Sequence, residues 1–367
     1  MAGRVPLARR NLLADPRRLA ASALAVGMAV MLILLLDGLW AGVRSQVTRY
    51  EDEVGAQLYV VAPGTRSLFA EGSTVPISAL DVVRRAPGVD WAWPVQGRFA
   101  ILDLHGRKVA TTLVGSVPGG RGGPWAIADG RLVELDGEAV LDEVLADRHD
   151  LAVGDPIEIL GRPFQIVGLS RGTASFMTGF VFITHGAADA LLRSSASTTA
   201  VLVGAARPGE VRAQLEAEGL TVLDHDELRQ AGLALATQIY GTPLRLMVLV
   251  AFLAGTLVIA LTAYTSVTER TREYGIVKAM GATRRRLTAL AVVQTALLAF
   301  AGTITGVVLF AVGRVAITTA RPQFTILLTS GAVLRAAGAA AVMGTIAALI
   351  PAHRLARLDP AVAYRGA

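Results

Sequence analysis

The stretch TERTREYGIVKAMGATRRRL, Thr268–Leu287, is rich in charge, punctuated by Gly275 and Gly281, and set between two long apolar runs. If those runs cross a membrane, the stretch is a short connector shaped to be gripped by a partner. Composition favours a membrane setting: 53% of the 367 residues are hydrophobic, 17% are charged, and the mean hydropathy is +0.52. A soluble domain of this size rarely reads so apolar. The chain has no cysteine, which excludes disulfide frameworks, thiol catalysis and Cys-ligated metal sites.

Working outward, four segments reach the roughly 20 helical residues needed to span a hydrocarbon core of about 30 Å. They are Leu19–Val43, Leu246–Val267, Leu287–Gly313 and Gly331–Ala352. Asp37 is the one formal charge in the first three, and it suits an interfacial or Arg-paired position better than a transport site. Arg335, near one end of the fourth, can snorkel. The first run follows Arg4, Arg9, Arg10, Arg17 and Arg18. It is longer than a signal-peptide core and has no small-x-small site after it, so it reads as a retained anchor. Asp15-Pro16 suits a helix start, and Val5, Ala8 and Leu12 suggest an amphipathic segment lying on the membrane over residues 1–18.

Charge partition orients the chain. Residues 1–18, 268–286 and 353–367 together carry net +10, whereas Arg44–Tyr240, with 17 basic and 24 acidic residues, carries −7. The positive-inside rule puts both termini and the connector in the cytoplasm and residues 44–240 outside. The formal net charge of +6 is therefore no argument for nucleic-acid binding. The expected organisation is a cytoplasmic segment (1–18), a first span (19–43), an extracytoplasmic α+β domain (44–240), a three-span domain (241–352) and a cytoplasmic tail (353–367).

The outside segment is long enough to bury its own core. Strands are predicted at Gln57–Val61, Val89–Val95 and Thr199–Val203, and hairpins at Arg98–Leu104/Lys108–Val114 and Ile157–Leu160/Phe164–Leu169. Helices are predicted at Ile77–Arg85, Gly186–Arg193 and Gly209–Glu218. Asp224 with Glu227 forms a capping box opening a helix that leads through Tyr240. The predicted class is a four-span α-helical membrane protein with an α+β domain inserted between spans one and two.

Enzyme signatures do not emerge. Gly119–Gly123 lacks the Lys-Ser/Thr of a P-loop, His105, His149, His185 and His225 are scattered, and neither HExxH nor GxSxG occurs. Asp142, Glu143 and Asp147 flank a predicted helix and read as a solvated face. No catalytic or metal-binding residue is expected, and any ATP chemistry must come from another polypeptide. Small residues recur within the spans, among them Gly255, Gly302, Gly306, Ala340 and Gly344. They suit either a dimer interface or a tight four-helix subunit.

Within the connector, Glu269–Met280 is compatible with a helix, Gly281 supplies its stop, and Thr283 suits the N-cap of the next span. The positive-inside rule accounts for Arg284–Arg286, but not for Ile276, Val277, Ala279 and Met280 on a solvated loop. Here the chain resembles the FtsX-like permeases of MacB-type ABC transporters. The similarity rests on Glu269-Arg270-Thr271-Arg272-Glu273, with Gly275 and Ala279-Met280-Gly281-Ala282; Tyr274 stands where isoleucine is usual. It extends to Ala8–Leu13 before the first span, Pro351-Ala352 and Ala356–Pro360 near the end, and, more weakly, Leu151–Leu169 outside.

The resemblance implies a plasma-membrane (bacterial inner-membrane) permease, dimeric with a second copy or a paralogue, bound to two copies of an ABC-type ATPase that uses ATP and Mg²⁺. It implies that the connector is a coupling helix. Glu269, Arg272, Glu273, Tyr274, Gly275, Ile276, Val277, Lys278, Met280 and Gly281 are the residues expected at the ATPase. Closure of the ATPases would be transmitted along the first two spans to the outside domain, for export or extraction of a hydrophobic or amphiphilic cargo, with a membrane-fusion or other extracytoplasmic partner as a further component. The alternative is a signal transmitter that activates an outside partner such as a cell-wall hydrolase. Arg171–Phe182 reads as a loop whose Phe176, Met177 and Phe180 suit contact with an apolar cargo or packing against the domain or its dimer mate.

Overall fold

The computed structural model describes residues 16–357 except 71, 105, 176–177, 195, 270–275, 277–282 and 321–323. It divides into a helical unit (Met1–Ala41, Gly241–Ala320, Ile326–Ala367) and an outer unit (Gly42–Tyr240 with Arg321–Thr325).

Helix α1 is described over Pro16–Val47. A break at Thr48 leads to the short α2 (Arg49–Val54), stopped by Gly55 in the left-handed region at φ +70°. The outer unit is built on an eleven-stranded mixed sheet, with a two-stranded ribbon of β2 (Val75–Pro76) and β11 (Ser197–Thr198) beside it. Its central path runs β13 (Thr221–Asp224), β1 (Leu58–Val61), β12 (Ala200–Ala205), β3 (Val89–Leu104), β4 (Arg107–Ser116), β10 (Thr178–Thr184), β6 (Glu138–Asp142), β8 (Arg162–Ser170) and β5 (Ile127–Gly130). The short β7 (Pro156–Ile159) pairs with β3 and β8, and β9 (Ala174–Ser175) with β10.

The 16 residues of β3 serve two neighbours. Residues 89–95 pair with β12, and residues 95–104 form the predicted hairpin with β4, in register from Val95↔Ser116 to Leu104↔Arg107. The β4–β10 and β6–β8 pairs are parallel, and the other pairs are antiparallel. The predicted loop over 171–182 is corrected here: β10 crosses the middle of the sheet, and all but its first residue are buried. Alternation gave no warning because a strand covered on both faces reads as a continuous apolar run.

Three apolar clusters cover the sheet. Helices α3 (Ala79–Arg85) and α6 (Pro208–Ala217) bury Val83, Val211 and Leu215 against Val60, Val201 and Val203. Helices α4 (Glu143–Arg148) and α5 (His185–Leu192) bury Leu145, Ala187 and Ala188 against Leu102, Leu113 and Ile183. The third cluster joins Tyr50 and Val54 of α2 to Tyr59, Phe180, Phe182 and Leu228. The predicted capping box is formed: Asp224 accepts from the Glu227 N–H at 2.8 Å, and Glu227 accepts from the Asp224 N–H at 3.0 Å. It opens α7 (His225–Ala236), which passes through a π turn (Thr237–Gly241) into α8 (Thr242–Glu269).

The helical unit is completed by α9 (Arg284–Ala320) and α10 (Ser330–Arg357). Four helical stretches are long and apolar enough to span a membrane: Leu19–Val47, one within His225–Glu269, Val292–Ala320 and Ser330–Leu349. Outward-facing Leu246, Val250, Leu253, Leu257 and Leu261 on α8 are at least half exposed, and their three- and four-residue spacing makes one lipid-ready stripe. Hydroxyls along the spans bond back to carbonyls, as in Thr256 to Phe252 and Thr303 to Ala299, both 2.8 Å. Such bonds satisfy them where water is absent.

In the outer unit, Gly42 lies against the backbone of Thr325. A Cβ at Gly42 would fall 1.6 Å from the Thr325 carbonyl oxygen. One turn on, the Gln46 amide donates to Thr325 Oγ1 at 3.1 Å.

Candidate functional site

The connector joins the end of α8 to the start of α9. Glu269 is the last described residue of α8 and its side chain is exposed, and Arg284 opens α9 directly after the exposed Thr283. Between them the backbone at Ile276 is helical and its side chain is 44% exposed. Arg272, Glu273, Tyr274, Gly275, Val277, Lys278, Met280 and Gly281 lie outside the described residues.

Gly255, Gly302, Gly306 and Gly344 each lie against another helix of this chain. A Cβ on Gly302 would lie 2.3 Å from Val26 Cγ1, one on Gly306 2.6 Å from Val30 Cβ, and one on Gly255 2.9 Å from Ala29 Cβ. Ala340 is buried, and a Cβ on Gly344 would meet Ala299 at 3.2 Å. These contacts bring α8, α9 and α10 close to α1 or to one another, an approach that larger residues would prevent. Asp37 is paired: Arg335 of α10 reaches its Oδ2 from Nη2 at 2.6 Å and from Nε at 3.2 Å. The pair stitches α1 to α10, and each charge meets its counter-charge without leaving the helices.

In the outer unit, Phe176 and Met177 lie outside the described residues. Phe180 is buried and stacks on Phe182 at 5.6 Å and on Tyr50 at 5.9 Å between ring centroids. Phe69 meets Tyr50 edge-on at 4.8 Å, and Trp125 meets Phe180 at 6.2 Å. Sequence reasoning singled out Phe180 but missed Tyr50, Phe69 and Glu51. RYEDEV, over 49–54, is dense in charge, yet Glu51 is 7% exposed.

The scattered titratable residues have structural partners. Asp142 is not on a solvated face: it is buried, caps α4 through the Leu145 N–H at 3.1 Å, and accepts from Thr173 Oγ1 at 2.8 Å. Burial raises its pKa, and these hydrogen bonds oppose the rise. Glu138 is clamped by Arg131 and by the N–H groups of Glu134 and Leu135 at 2.9 and 3.1 Å, with the Arg131 hydrogen bond foremost in lowering its pKa to about 2. His185 sits 3.3 Å from Asp189, and its pKa is lowered by burial against the opposing pull of that carboxylate. His225 pairs with Asp52 at 3.2 Å, and the backbone N–H of the buried His149 closes the end of α4 onto Ala146. His105 lies outside the described residues. Among the described residues no three His, Asp or Glu side chains gather as a metal site.

Comparison with known proteins connects the two units. Residues 19–218 match the MacB-like periplasmic core domain, and residues 245–360 match the FtsX-like permease C-terminal domain. Two uncharacterized ABC transporter permeases of Mycobacterium tuberculosis are similar along nearly their whole length. One (strain ATCC 25618 / H37Rv) is 26% identical over 362 residues, covering 95% of this chain and 96% of the relative. The other, of the same strain, is 24% identical over 355 residues with the same coverage. The macrolide export ATP-binding/permease protein MacB of Nitrosomonas europaea is 25% identical over 367 residues, 92% of this chain and 55% of that protein.

Proposed function

This chain belongs to the FtsX-like ABC transporter permeases with a MacB-like periplasmic core domain, and from that premise we propose that it couples a separate ATPase to movement of its outer unit. In this reading the chain sits in the inner membrane with both termini and the connector in the cytoplasm. Two ATPase subunits, which hold ATP and Mg²⁺, seat on residues 269–281 of a permease dimer. The observation that carries the reading is helical continuity. One 45-residue helical stretch, His225–Glu269, runs from the capping box of the outer unit through a membrane span to the connector. Hydrogen-bonded helix transmits a push along its axis because its length is fixed at about 1.5 Å per residue. Helix α1, also unbroken over 32 residues, provides the second rod.

A permease that transmits force in this way needs no central pore. Relatives whose names specify a cargo alongside an ATP-binding function include a macrolide export protein and a pyoverdine export protein, which supports export; the cargo inferred for this chain is a hydrophobic or amphiphilic molecule. The test is copurification with the cognate ATPase, and ATPase stimulation, for Ile276→Asp, Met280→Asp and Gly281→Pro. The expected outcome is normal insertion in the membrane with loss of both association and stimulation. Retention of both in all three variants overturns the coupling assignment.

A further inference from the structure

The outer unit contains a cavity of about 200 Å³ where the residues following the first span meet the end of α7. Its walls include Tyr50, Glu51, Phe69, Phe180, Leu235 and Ile239. A dry cavity of about 150 Å³ accepts benzene, so this one has room for a ring and a short chain. Phe69 is fixed in its wall because it lies over Gly97, where a Cβ would fall 2.1 Å from the ring.

Glu51 is the anomaly. Its carboxyl oxygen Oε2 is buried and has no hydrogen-bond partner, a costly arrangement for a polar atom. The neighbouring cations are committed elsewhere: His225 Nε2 and Arg229 Nε lie 3.2 and 3.7 Å from Asp52, which also accepts from Thr48 Oγ1 at 3.0 Å. Two tyrosines also face Glu51, and both hydroxyls are committed: Tyr59 donates to the Glu51 backbone carbonyl at 3.1 Å and Tyr50 to the Gly122 carbonyl at 2.9 Å. What is missing is a donor, and the rings beside it favour one that carries positive charge.

We propose that this cavity binds the ammonium head of a small amphiphile, with the nitrogen on the Glu51 carboxylate and the apolar body against Tyr50, Phe69 and Phe180. An ammonium supplies up to three donors and the counter-charge together. Burial pushes the Glu51 carboxyl up to about 7, with repulsion from Asp52 adding to the effect. Affinity for the cation therefore rises as pH increases through that value, because binding requires the carboxylate.

The experiment is calorimetric titration of the full-length permease in detergent micelles with 2-phenylethylammonium and, as a neutral isostere, 2-phenylethanol. At pH 8 the wild type should prefer the ammonium at least about ten-fold, and affinity should fall at pH 5.5. Glu51→Gln should lose the preference while keeping the alcohol, and Ala236→Phe, which fills the cavity, should lose both ligands. Equal ammonium binding by Glu51→Gln and wild type, no wild-type binding, or a flat wild-type pH profile overturns the proposal. The pH profile needs no variant, so misfolding of Glu51→Gln cannot shield it. Nanodiscs of phosphatidylethanolamine against phosphatidylglycerol separate the possible sources. Competition by the former makes the natural ligand a lipid head group; its absence makes it a soluble amine. No ATPase enters the measurement, so this site stands or falls independently of the coupling assignment.

Discussion

Replacing Gly302 and Gly306 together by alanine tests whether the helical unit depends on backbone contact between α1 and α9. On an open helix face a glycine-to-alanine change gains about 0.5–1 kcal/mol from reduced backbone entropy. Here the new methyls would fall 2.3 Å from Val26 Cγ1 and 2.6 Å from Val30 Cβ. Carbon atoms rest at about 3.5–4.0 Å, so the helices must part by more than about 1 Å. Overpacking typically costs about 1–3 kcal/mol per site. Two sites together cost about 2–6 kcal/mol, and set against roughly 1–2 kcal/mol of helix gain the double variant should lose up to about 5 kcal/mol. Gly338 on α10 is the internal control: nothing lies within 4 Å of its Cβ position. Gly338→Ala should therefore gain about 0.5–1 kcal/mol. Unfolding in mixed micelles by sodium dodecyl sulfate, followed by circular dichroism, measures both. A double variant at least as stable as Gly338→Ala would refute the close-contact reasoning.

Two further changes probe the outer unit. Glu138 has its pKa lowered from 4.5 to about 2 in the folded protein, chiefly by Arg131, so its stabilisation is complete above the unfolded value and fades as pH falls from 4.5 toward 2. Glu138→Gln should be less stable by about 1–3 kcal/mol at pH 7, and the gap should close in thermal melts near pH 2; a constant gap would contradict the ion-pair account. Asp224→Ala removes the cap of α7 and should cost about 1 kcal/mol. Hydrogen exchange should quicken at the amides of Asp226, Glu227 and Leu228, and unchanged protection there would show that the cap does not hold the helix start.

The membrane spans were legible because long apolar runs have few alternatives, and α7 because Asp224 and Glu227 specify their own hydrogen bonds. The β3–β4 hairpin was legible from Gly106 at its turn, but the continuity of Val89–Val95 with Arg98–Leu104 was not, since two short alternating segments look alike whether joined or separate. Strand β10 escaped notice because burial on both faces erases the alternation that marks a surface strand. Glu51 was hidden by its neighbours: Arg49, Asp52 and Glu53 make the segment look solvated, and only the tertiary fold turns one carboxyl of that run inward. Asp37 could be given a counter-charge from sequence, whereas its pairing with Arg335 required the packing of α1 against α10. The connector was read from its residue types and its resemblance to a family signature, because a docking surface is specified by its partner as much as by its own chain.

The contact of Gly42 with Thr325 has a consequence for anyone who wants to move the outer unit onto another set of spans. A transplant cut at residues 42 and 240 looks complete in the sequence, yet it leaves behind Phe324 and Thr325, which belong to the same unit. The recipient would have to supply a backbone that fits against a bare α-carbon at position 42 and a hydroxyl for Gln46. A workable chimera therefore carries two discontinuous pieces, and its second junction falls between the third and fourth spans.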